Sequence, residues 1–470
     1  MPVHIIKNLA RYFAYLILIL LSAYSLLQII VNLFPSTEII RNGISIPLAQ
    51  YDVVGIYFIE AMKTLWQHGL QAIPSLITAP FFGYDFGFFY YAFHQVLFHH
   101  GTDLYSIPKQ THWMKSLHYV SISNNQYVYP PQFAILLSFI SLFPFKTAAF
   151  IWTGCGMIAT FCSGYWLGLL ATFQKPSKLI RLLILTITLS YYGLYWDFGI
   201  SNSNWLILFL ISWSFYLLIV KEKPRFAGVV IAIAAMFKVT PLIIIGYFLL
   251  RRQKSFVQSA LLTIVIVSLL GILLIGWQPF FYYLTHFHAM TDRSLRNGAA
   301  PYNLSIVGIL LWLPSLHQHP MRQPIVLAAY GLVVLLSLSL SWLSAKKANH
   351  PMQDIIIVSL LMVMVSPLIE VTHTIIVLPM ISGMIYFVHH HPISVKDKKN
   401  RIHLVFLLLL SLIIIYQSFS IIMLYSFYIA PFSFTWPYFN GLWDICLLYS
   451  VILLGLGWPW LWPRNKIRGE

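Results

Sequence analysis

The chain has 470 residues, of which 59% are hydrophobic and only 9% are charged. A soluble domain carries roughly 25% charged residues. Several apolar runs here reach the ~20 residues that cross a bilayer as a helix. These features exclude an ordinary soluble protein and predict an all-α polytopic membrane protein. No long polar linker interrupts the chain, so we expect a single integral-membrane domain over residues 1–470.

The formal net charge of +16 would suit a protein that binds nucleic acid, but the basic residues are not distributed in that way. They form short clusters between apolar runs: Lys221, Lys223 and Arg225; Arg251, Arg252 and Lys254; Lys346 and Lys347; Lys396, Lys398, Lys399 and Arg401; and Arg464, Lys466 and Arg468. Such clusters are typical of cytoplasmic loops and of contact with anionic headgroups. We therefore exclude a nucleic-acid partner and expect a lipid bilayer as the surroundings.

The first apolar run, residues 12–34, is interpreted as an uncleaved anchor, because it is longer than a signal-peptide core and no small-x-small cleavage site follows. The basic N-terminus should stay inside, so the long segment 35–128 is predicted on the outer side. Within that segment, residues 52–70 and 85–98 have helical apolar spacing. We expect both to be amphipathic helices at the membrane interface.

Asp85 begins the second of these helices and is one of only 13 acidic residues in the chain. An acid in an outer segment beside a membrane-embedded body is a candidate general base. The alternative is that Asp85 caps the helix that follows it. Gly101 is predicted to end that helix. The nearby histidines do not have the spacing of a metal site, and no metal or other cofactor is expected.

Two later apolar stretches are predicted to be broken. Residues 226–250 are interrupted at 237–241, where Lys238 precedes Pro241. A lysine inside an apolar stretch is costly, so Lys238 should meet an anion or a water-filled cavity, with snorkelling to an interface as the alternative. Residues 354–388 are too long for one helix and contain a polar corner at 366–373, so two helices are expected.

A span is predicted at 129–143, and a second one follows it and ends near residue 173. The remaining spans are predicted at 180–196, 204–220, 255–276, 325–344, 402–428 and 441–462. A polar aromatic loop is predicted after residue 276, and it contains Arg293 and Arg296. If 226–250 forms two half-helices, the basic loops on either side of it can both lie inside. The total is ten to thirteen spans.

Several segments resemble, in order, the motifs of glycosyltransferase family 87. The first is Asp85 followed by Tyr90-Tyr91, then Gly101-x-Asp103-Leu104-Tyr105 and Tyr129-Pro130-Pro131. The later ones are Ala227-Gly228 with Ala235-Met236-Phe237-Lys238-Val239-Thr240-Pro241 and Leu249-Leu250-Arg251-Arg252; Tyr302-Asn303-Leu304-Ser305; and Ser366-Pro367 with His373. Together they cover about residues 84–380.

The chain departs from the family's pattern at two places. Where the family shows Gly-Gln-x-Asn, this chain has Ser201-Asn202-Ser203-Asn204, and only Asn204 clearly matches. A histidine pair is reduced to His373, with Glu370 and Thr372 nearby. These differences bear on the identity of the sugar or acceptor more than on the reaction.

The resemblance implies a bundle of the GT-C type and a polyprenyl-phosphate-mannose-dependent mannosyltransferase that needs no metal. It implies a multi-pass protein of the plasma membrane whose site faces outside, with the lipid-phosphate sugar and a glycan or glycolipid as substrates. Asp85 is then the expected base. Lys238, Arg293, Arg296 and His373 are candidates for donor-phosphate contact. Tyr129, Asn204 and Asn303 are candidates for sugar contact, with helix-end or loop packing as the alternative for each.

Two other function classes remain open from the sequence. A transporter or flippase of lipid-linked sugars would share the buried charges and broken helices. Against it, the chain shows no internal repeat, and the long outer segment suits a catalytic loop. A non-catalytic partner in envelope glycan assembly would explain the reduced Gly-Gln-x-Asn motif. The leading hypothesis is a membrane hexosyltransferase.

Overall fold

The computed structural model describes residues 12–23, 39–41, 44–46, 84–117, 126–297, 303, 305, 307–308, 310, 322–347 and 350–390. The helix predicted at 52–70 and the spans predicted at 402–428 and 441–462 lie outside the described residues. The described part is a bundle of α-helices, as the sequence predicts for an all-α polytopic membrane protein.

The helices are α1 (Tyr12–Ala23), α2 (Tyr84–His99), α3 (Ile107–Ser116), α4 (Pro131–Leu137), α5 (Phe145–Ala171), α6 (Lys178–Leu189), α7 (Tyr192–Gly199), α8 (Asn204–Phe215), α9 (Pro224–Phe237), α10 (Leu242–Leu250), α11 (Lys254–Ile275), α12 (Gln278–Asn297), α13 (Arg322–Lys347), α14 (Pro351–Val365) and α15 (Leu378–His390). A 3₁₀ turn at Ser138–Leu142 extends α4, and another at Val371–Val377 precedes α15. A π-helical turn at Tyr216–Val220 extends α8. A short antiparallel hairpin, β1 (Ile39–Arg41) and β2 (Ile44–Ile46), pairs Ile40 with Ser45.

Four helices of the described part are long and apolar enough to cross a membrane: Phe145–Ala171, Lys254–Ile275, Pro324–Lys346 and Thr372–His390. Shorter apolar helices, including α4, α9 and α14, pack among them. The predicted total of ten to thirteen spans includes regions outside the described residues and stays a prediction.

Helix α2 has the predicted position but not the predicted surroundings. It ends as expected at Gly101, which has φ +69° and donates its N–H to the Gln95 carbonyl at 2.8 Å. However, its side chains are buried almost all round rather than on one face: Phe86, Phe88, Phe89, Tyr90, Tyr91, Ala92, Phe93 and Val96. The expectation of an amphipathic helix with one apolar face is therefore wrong for this segment, because its aromatic residues pack inside the bundle on nearly all sides. Its location at the membrane interface stays a prediction.

The apolar stretch 226–250 is broken where the sequence predicts. Helix α9 ends with Lys238 in an extended conformation, and α10 begins after Pro241, which has no N–H to donate to a continuing helix. Gly228 near the start of α9 lies against Phe256 and Ser259 near the start of α11. The two helices therefore begin at the same end of the bundle, and Lys238 points toward the other end. This agrees with the half-helix interpretation of 226–250.

The second predicted break is also present. Helix α14 ends at Val365, and Gly383 of α15 lies beside Ile356 and the carbonyl of Met352 in α14. The two helices are thus antiparallel neighbours. The turn between them, residues 366–370, lies at the same end of the bundle as Lys238.

The opposite end is held by an ion pair. The Arg251 guanidinium lies 3.2 Å from the Asp354 carboxylate and also donates to the Ala345 carbonyl at 2.9 Å. The Tyr247 hydroxyl donates to the same carboxylate at 2.6 Å. Arg251 was expected to contact lipid headgroups, but it instead joins α10 to the end of α13 and the start of α14.

The segment predicted as a polar loop after residue 276 is helical. Residues Gln278–Asn297 form α12, with Tyr283 buried and Phe281 exposed. The polar residues in this segment suggested a loop, but they recur at helical spacing with apolar ones, and that pattern allows a helix with one packed face.

We expect Gly228→Ala to lower the thermal unfolding midpoint in detergent. A Cβ atom at this position would clash with both the Phe256 carbonyl oxygen and the Ser259 hydroxyl, so α9 and α11 must move apart. Overpacking of this kind costs about 1–3 kcal/mol, more than the ~1 kcal/mol that alanine gains over glycine in a helix. Gly246→Ala in α10 is the matched control, since its Cβ meets nothing within 4 Å. An unchanged or higher midpoint for Gly228→Ala would contradict the close packing of these helices.

Candidate functional site

Four polar segments of the chain meet at one end of the bundle. They are the start of α2 with Asp85, the loop 200–204 that leads from α7 into the first residue of α8, the helix break at Lys238 and the helix break at residues 366–370. The backbone already links the first two, because the Asp85 N–H donates to the Ile200 carbonyl at 2.9 Å. Residues that are far apart in the sequence thus form one polar region inside an apolar bundle.

Asp85 is held by a residue that the sequence did not single out. The side-chain amide of Asn202 donates to Oδ2 of Asp85 at 2.7 Å. Among the described contacts, the Asp85 carboxylate accepts this hydrogen bond from the 200–204 loop and none from the N–H groups of α2. The helix-capping alternative for Asp85 therefore receives no support from the described contacts.

Tyr129 completes the polar network around Asn202. Its hydroxyl donates to Asn202 Oδ1 at 3.2 Å and accepts from the Ser203 hydroxyl at 3.2 Å. Its ring lies against Phe89 at 5.0 Å and Phe133 at 4.9 Å between centroids. Tyr129 thus lies in the predicted region, where the Asn202 side chain links it to the candidate base, Asp85.

Lys238 meets a polar partner, as expected for a lysine in an apolar stretch. Its ammonium donates to Oδ1 of Asn204 at 2.6 Å. The amide of Asn204 in turn donates to Asp197 at 2.8 Å, and the second carboxylate oxygen of Asp197 accepts the N–H of Trp205 at 2.9 Å. Asp197 thereby holds the first turn of α8 and fixes which side of the Asn204 amide faces Lys238.

The turn at 366–370 is fixed by Asn303. The Asn303 oxygen accepts the N–H groups of Ile369 and Ser305 at 3.0 Å each, and its amide donates to the Pro367 carbonyl at 3.1 Å. The Glu370 carbonyl accepts the His373 N–H at 2.9 Å, and Nδ1 of His373 accepts the Glu370 N–H at 3.3 Å. These bonds bring Glu370 and His373 to the site as one rigid turn.

Asp85 and three neighbouring polar residues are only partly buried. Asp85, Lys238, Glu370 and His373 each keep a partly exposed side chain although the residues around them are buried. They therefore reach a recess that water can enter. Among the described residues its acids are Asp85 and Glu370, while Asp197 is fully buried and bonded to Asn204.

Burial, together with the negative charges of Glu370 and Asp197, raises the pKa of Asp85 from its ordinary 3.8 to about 8, while Asn202 and Lys238 oppose the shift. Burial likewise raises the pKa of Asp197 to about 7, against the hydrogen bonds from Asn204 and Trp205. A raised pKa makes a carboxylate a stronger base, which is what general base catalysis near neutral pH requires.

The predicted site residues are not all placed alike. Asp85, Tyr129, Lys238 and His373 converge on the recess. Asn204 and Asn303 are buried, and their amide groups bond within the protein, which agrees with the packing alternative given for each. Arg293 and Arg296 lie in α12, but their side chains are outside the described residues, so their role stays a prediction.

Three residues at the site were missed or not assigned a role from the sequence: Asn202, Asp197 and Glu370. For Asn202 and Asp197, the signal in the sequence was the concentration of polar residues at 197–204, between two apolar helices. In the described part of the chain, no group of three or more His, Cys, Asp or Glu side chains could hold a metal ion.

The chain matches the model of a known protein family. The model of glycosyltransferase family 87 matches residues 127–367, which is just over half of the 470-residue chain. The matched range contains Tyr129, Asn204, Lys238 and the 200–204 loop, while Asp85 and His373 lie outside it. Neither the search of curated proteins nor that of solved structures found a significant match.

We expect the stability of the fold to fall as Asp85 ionises. Its pKa is about 8 in the folded chain and near 3.8 when unfolded, so the neutral carboxyl's full contribution is present below about pH 4. That contribution is lost as the pH rises toward 8 and changes no further above it. The thermal midpoint of Asp85→Asn, minus that of the wild type, should therefore grow between pH 5 and 8 and then level off. A difference that is constant with pH would show that Asp85 does not titrate in this range.

Proposed function

Since the chain belongs to glycosyltransferase family 87, we propose that this glycosyltransferase moves a hexose, with mannose as the specific candidate, from a polyprenyl-phosphate-linked donor to a glycan or glycolipid acceptor. The observation that carries the proposal is the shared loop 200–204. Through Asn202 it holds an acid, Asp85, and through Asn204 it holds a cation, Lys238. A base and a cation that face one recess suit the transfer of a sugar away from a phosphate.

In the proposed reaction the acceptor oxygen attacks the anomeric carbon of the donor sugar, and Asp85 takes the proton of that hydroxyl. The bond between the anomeric carbon and the phosphate oxygen breaks, and polyprenyl phosphate leaves with both bonding electrons. Lys238 stabilises the negative charge on the departing phosphate. Arg293, Arg296 and His373 are proposed as further donor-phosphate contacts, and Tyr129, Asn204 and Asn303 as contacts or supports for the sugar; no metal or other cofactor is invoked.

The site is proposed to open to the outer face of the plasma membrane. The starts of α9 and α11 follow the basic loops 221–225 and 251–254, and both lie at the end of the bundle opposite Lys238. Basic loops favour the cytoplasmic side. This arrangement supports an outward-facing recess.

Family membership favours transfer over the two alternatives from the sequence, a lipid-linked sugar transporter and a non-catalytic assembly partner. A transporter moves its substrate unchanged, whereas a transferase makes a new glycosidic bond. Formation of a labelled product therefore separates them.

We expect Asp85→Asn to lower sugar transfer by ~10²-fold or more, because asparagine keeps the shape of the side chain but cannot accept the proton. The measurement is transfer from labelled polyprenyl-phosphate-mannose by membranes that contain the wild type or the variant. Asp103→Asn is the matched control, since Asp103 forms a surface ion pair with Lys109. Equal transfer by Asp85→Asn and the wild type would remove Asp85 as the base, and no transfer by the wild type would reject this donor.

We expect Lys238→Met to reduce transfer mainly through the donor, since it removes the positive charge proposed to meet the phosphate. The apparent KM for the donor should rise by at least ~10-fold, and Lys238→Arg should recover part of the loss. Lys109→Met, which removes an exposed lysine, should leave the donor KM unchanged. A Lys238→Met enzyme with the wild-type donor KM would contradict phosphate contact by Lys238.

A further inference from the structure

Asn202 is the side chain in direct contact with the candidate base. It is buried, with 6% of its surface exposed, and its amide lies 2.7 Å from Asp85 Oδ2. The motifs assign it no role, and it stands where the chain departs from the pattern of the family.

The orientation of the Asn202 amide is decided by its other contacts. Its Oδ1 accepts the N–H of Ser203 at 2.6 Å and the hydroxyl of Tyr129 at 3.2 Å. A backbone N–H can only donate, so the oxygen must face Ser203 and the NH₂ group must face Asp85. In the flipped orientation, two donors would meet at Ser203 and two acceptors would meet at Asp85.

The backbone of Asn202 is also fixed. Its N–H donates to the Asp197 carbonyl at 2.8 Å, and its carbonyl accepts the indole N–H of Trp152 at 3.2 Å. The preceding residue, Ser201, has φ +54°, a left-handed conformation that non-glycine residues adopt at a cost. The loop thus keeps an unfavourable backbone angle while it directs the Asn202 side chain at Asp85.

One oxygen of Asp85 is held by this contact and the other is not. Oδ2 accepts from Asn202, while Oδ1 receives no hydrogen bond among the contacts described for the chain. A base that transfers protons efficiently needs one fixed orientation and one oxygen available to the reacting hydroxyl.

We propose that Asn202 is the positioning residue of the base: it fixes Oδ2 of Asp85 and thereby leaves Oδ1 to take the proton of the acceptor hydroxyl. The inference rests on the proposed function. In the step concerned, an electron pair on the acceptor oxygen forms the new bond to the anomeric carbon while the bond from that carbon to the phosphate oxygen breaks, and polyprenyl phosphate leaves with that bonding pair. The acceptor O–H bond breaks with its electrons kept by the oxygen, and the proton forms a bond to Oδ1. Asn202 itself neither gains nor loses a proton.

The contact also has an electrostatic consequence. A donor to the carboxylate favours its charged form, so removal of Asn202 should raise the pKa of Asp85. The other groups that face Asp85 are Glu370 from the turn after α14, Asp197 from α7, Lys238 at the end of α9, and Tyr129 before α4. An Asn202 variant leaves all four in place.

The first test reads Asp85 directly and does not depend on activity. Infrared difference spectra of the full-length protein in detergent are recorded across pH 5 to 10. The carboxyl band of protonated Asp85 is the one that is absent from Asp85→Asn. We expect this band to persist to a pH about one to two units higher in Asn202→Ala than in the wild type. Ser201→Ala, a change in the same loop, should titrate like the wild type.

The second test reads catalysis. With labelled polyprenyl-phosphate-mannose, Asn202→Ala should lower kcat by ~10- to 100-fold, keep the donor KM within about twofold, and move the rising limb of the pH–rate profile to higher pH. A merely structural role would reduce the amount of folded enzyme without moving that limb. If Asn202→Ala does not fold, Tyr129→Phe, which loosens the Asn202 amide, should shift the band in the same direction by a smaller amount.

The outcomes separate the two proposals. An Asp85 band that titrates at the same pH in Asn202→Ala and the wild type overturns the role of Asn202, whatever the activity. Transfer by the wild type with an unmoved profile in the variant overturns it as well while the proposed function stands. A shifted band with no transfer by the wild type rejects the proposed donor but keeps the contact.

Discussion

A charged group inside an apolar bundle must have polar partners, and at Lys238 this requirement sets the arrangement of the site. The ammonium is satisfied by the Asn204 oxygen, and that oxygen faces Lys238 because Asp197 takes the amide's other side. Asn204 begins α8, so the loop before it has little freedom. Asn202 lies two residues earlier and reaches Asp85. The position of the acid is thus linked to the position of the cation through one short loop.

A layer of aromatic side chains packs against this loop. The ring centroid of Trp152 in α5 lies 5.5 Å from that of Phe86 in α2 and 4.9 Å from that of Trp205 in α8, and its indole N–H donates to the Asn202 carbonyl. Large rings bury much area with little loss of rotamer freedom, so they make a stiff base for polar groups. The same residues explain why α2 is buried on nearly all sides. A helix that carries the acid must be anchored in the bundle if the acid is to keep a fixed distance from the loop.

The sequence predicted the features that depend on local chemistry. Pro241 and Pro367 mark helix breaks because proline cannot continue a helix, and the apolar runs gave the bounds of α5 and α11 to within a few residues. The sequence did not predict the role of Asn202 or Asp197, because their partners lie on other helices and depend on how those helices pack. It also missed that α12 is helical, since its polar residues resemble those of a loop. Asn204 and Asn303 were chosen for sugar contact from their motifs, but the described bonds show both amides occupied within the fold.

The Arg251–Asp354 pair makes the two ends of the bundle different from each other. It joins three helices at the end away from the recess, with Tyr247 and the Ala345 carbonyl completing its bonds. Opening a passage there would leave a charged group unpaired in apolar surroundings, which costs several kcal/mol. In the described part of the chain, the pair therefore resists separation of α10, α13 and α14 at the end of the bundle away from Lys238. A rearrangement that opened that end would have to supply a new partner for each of the two charges.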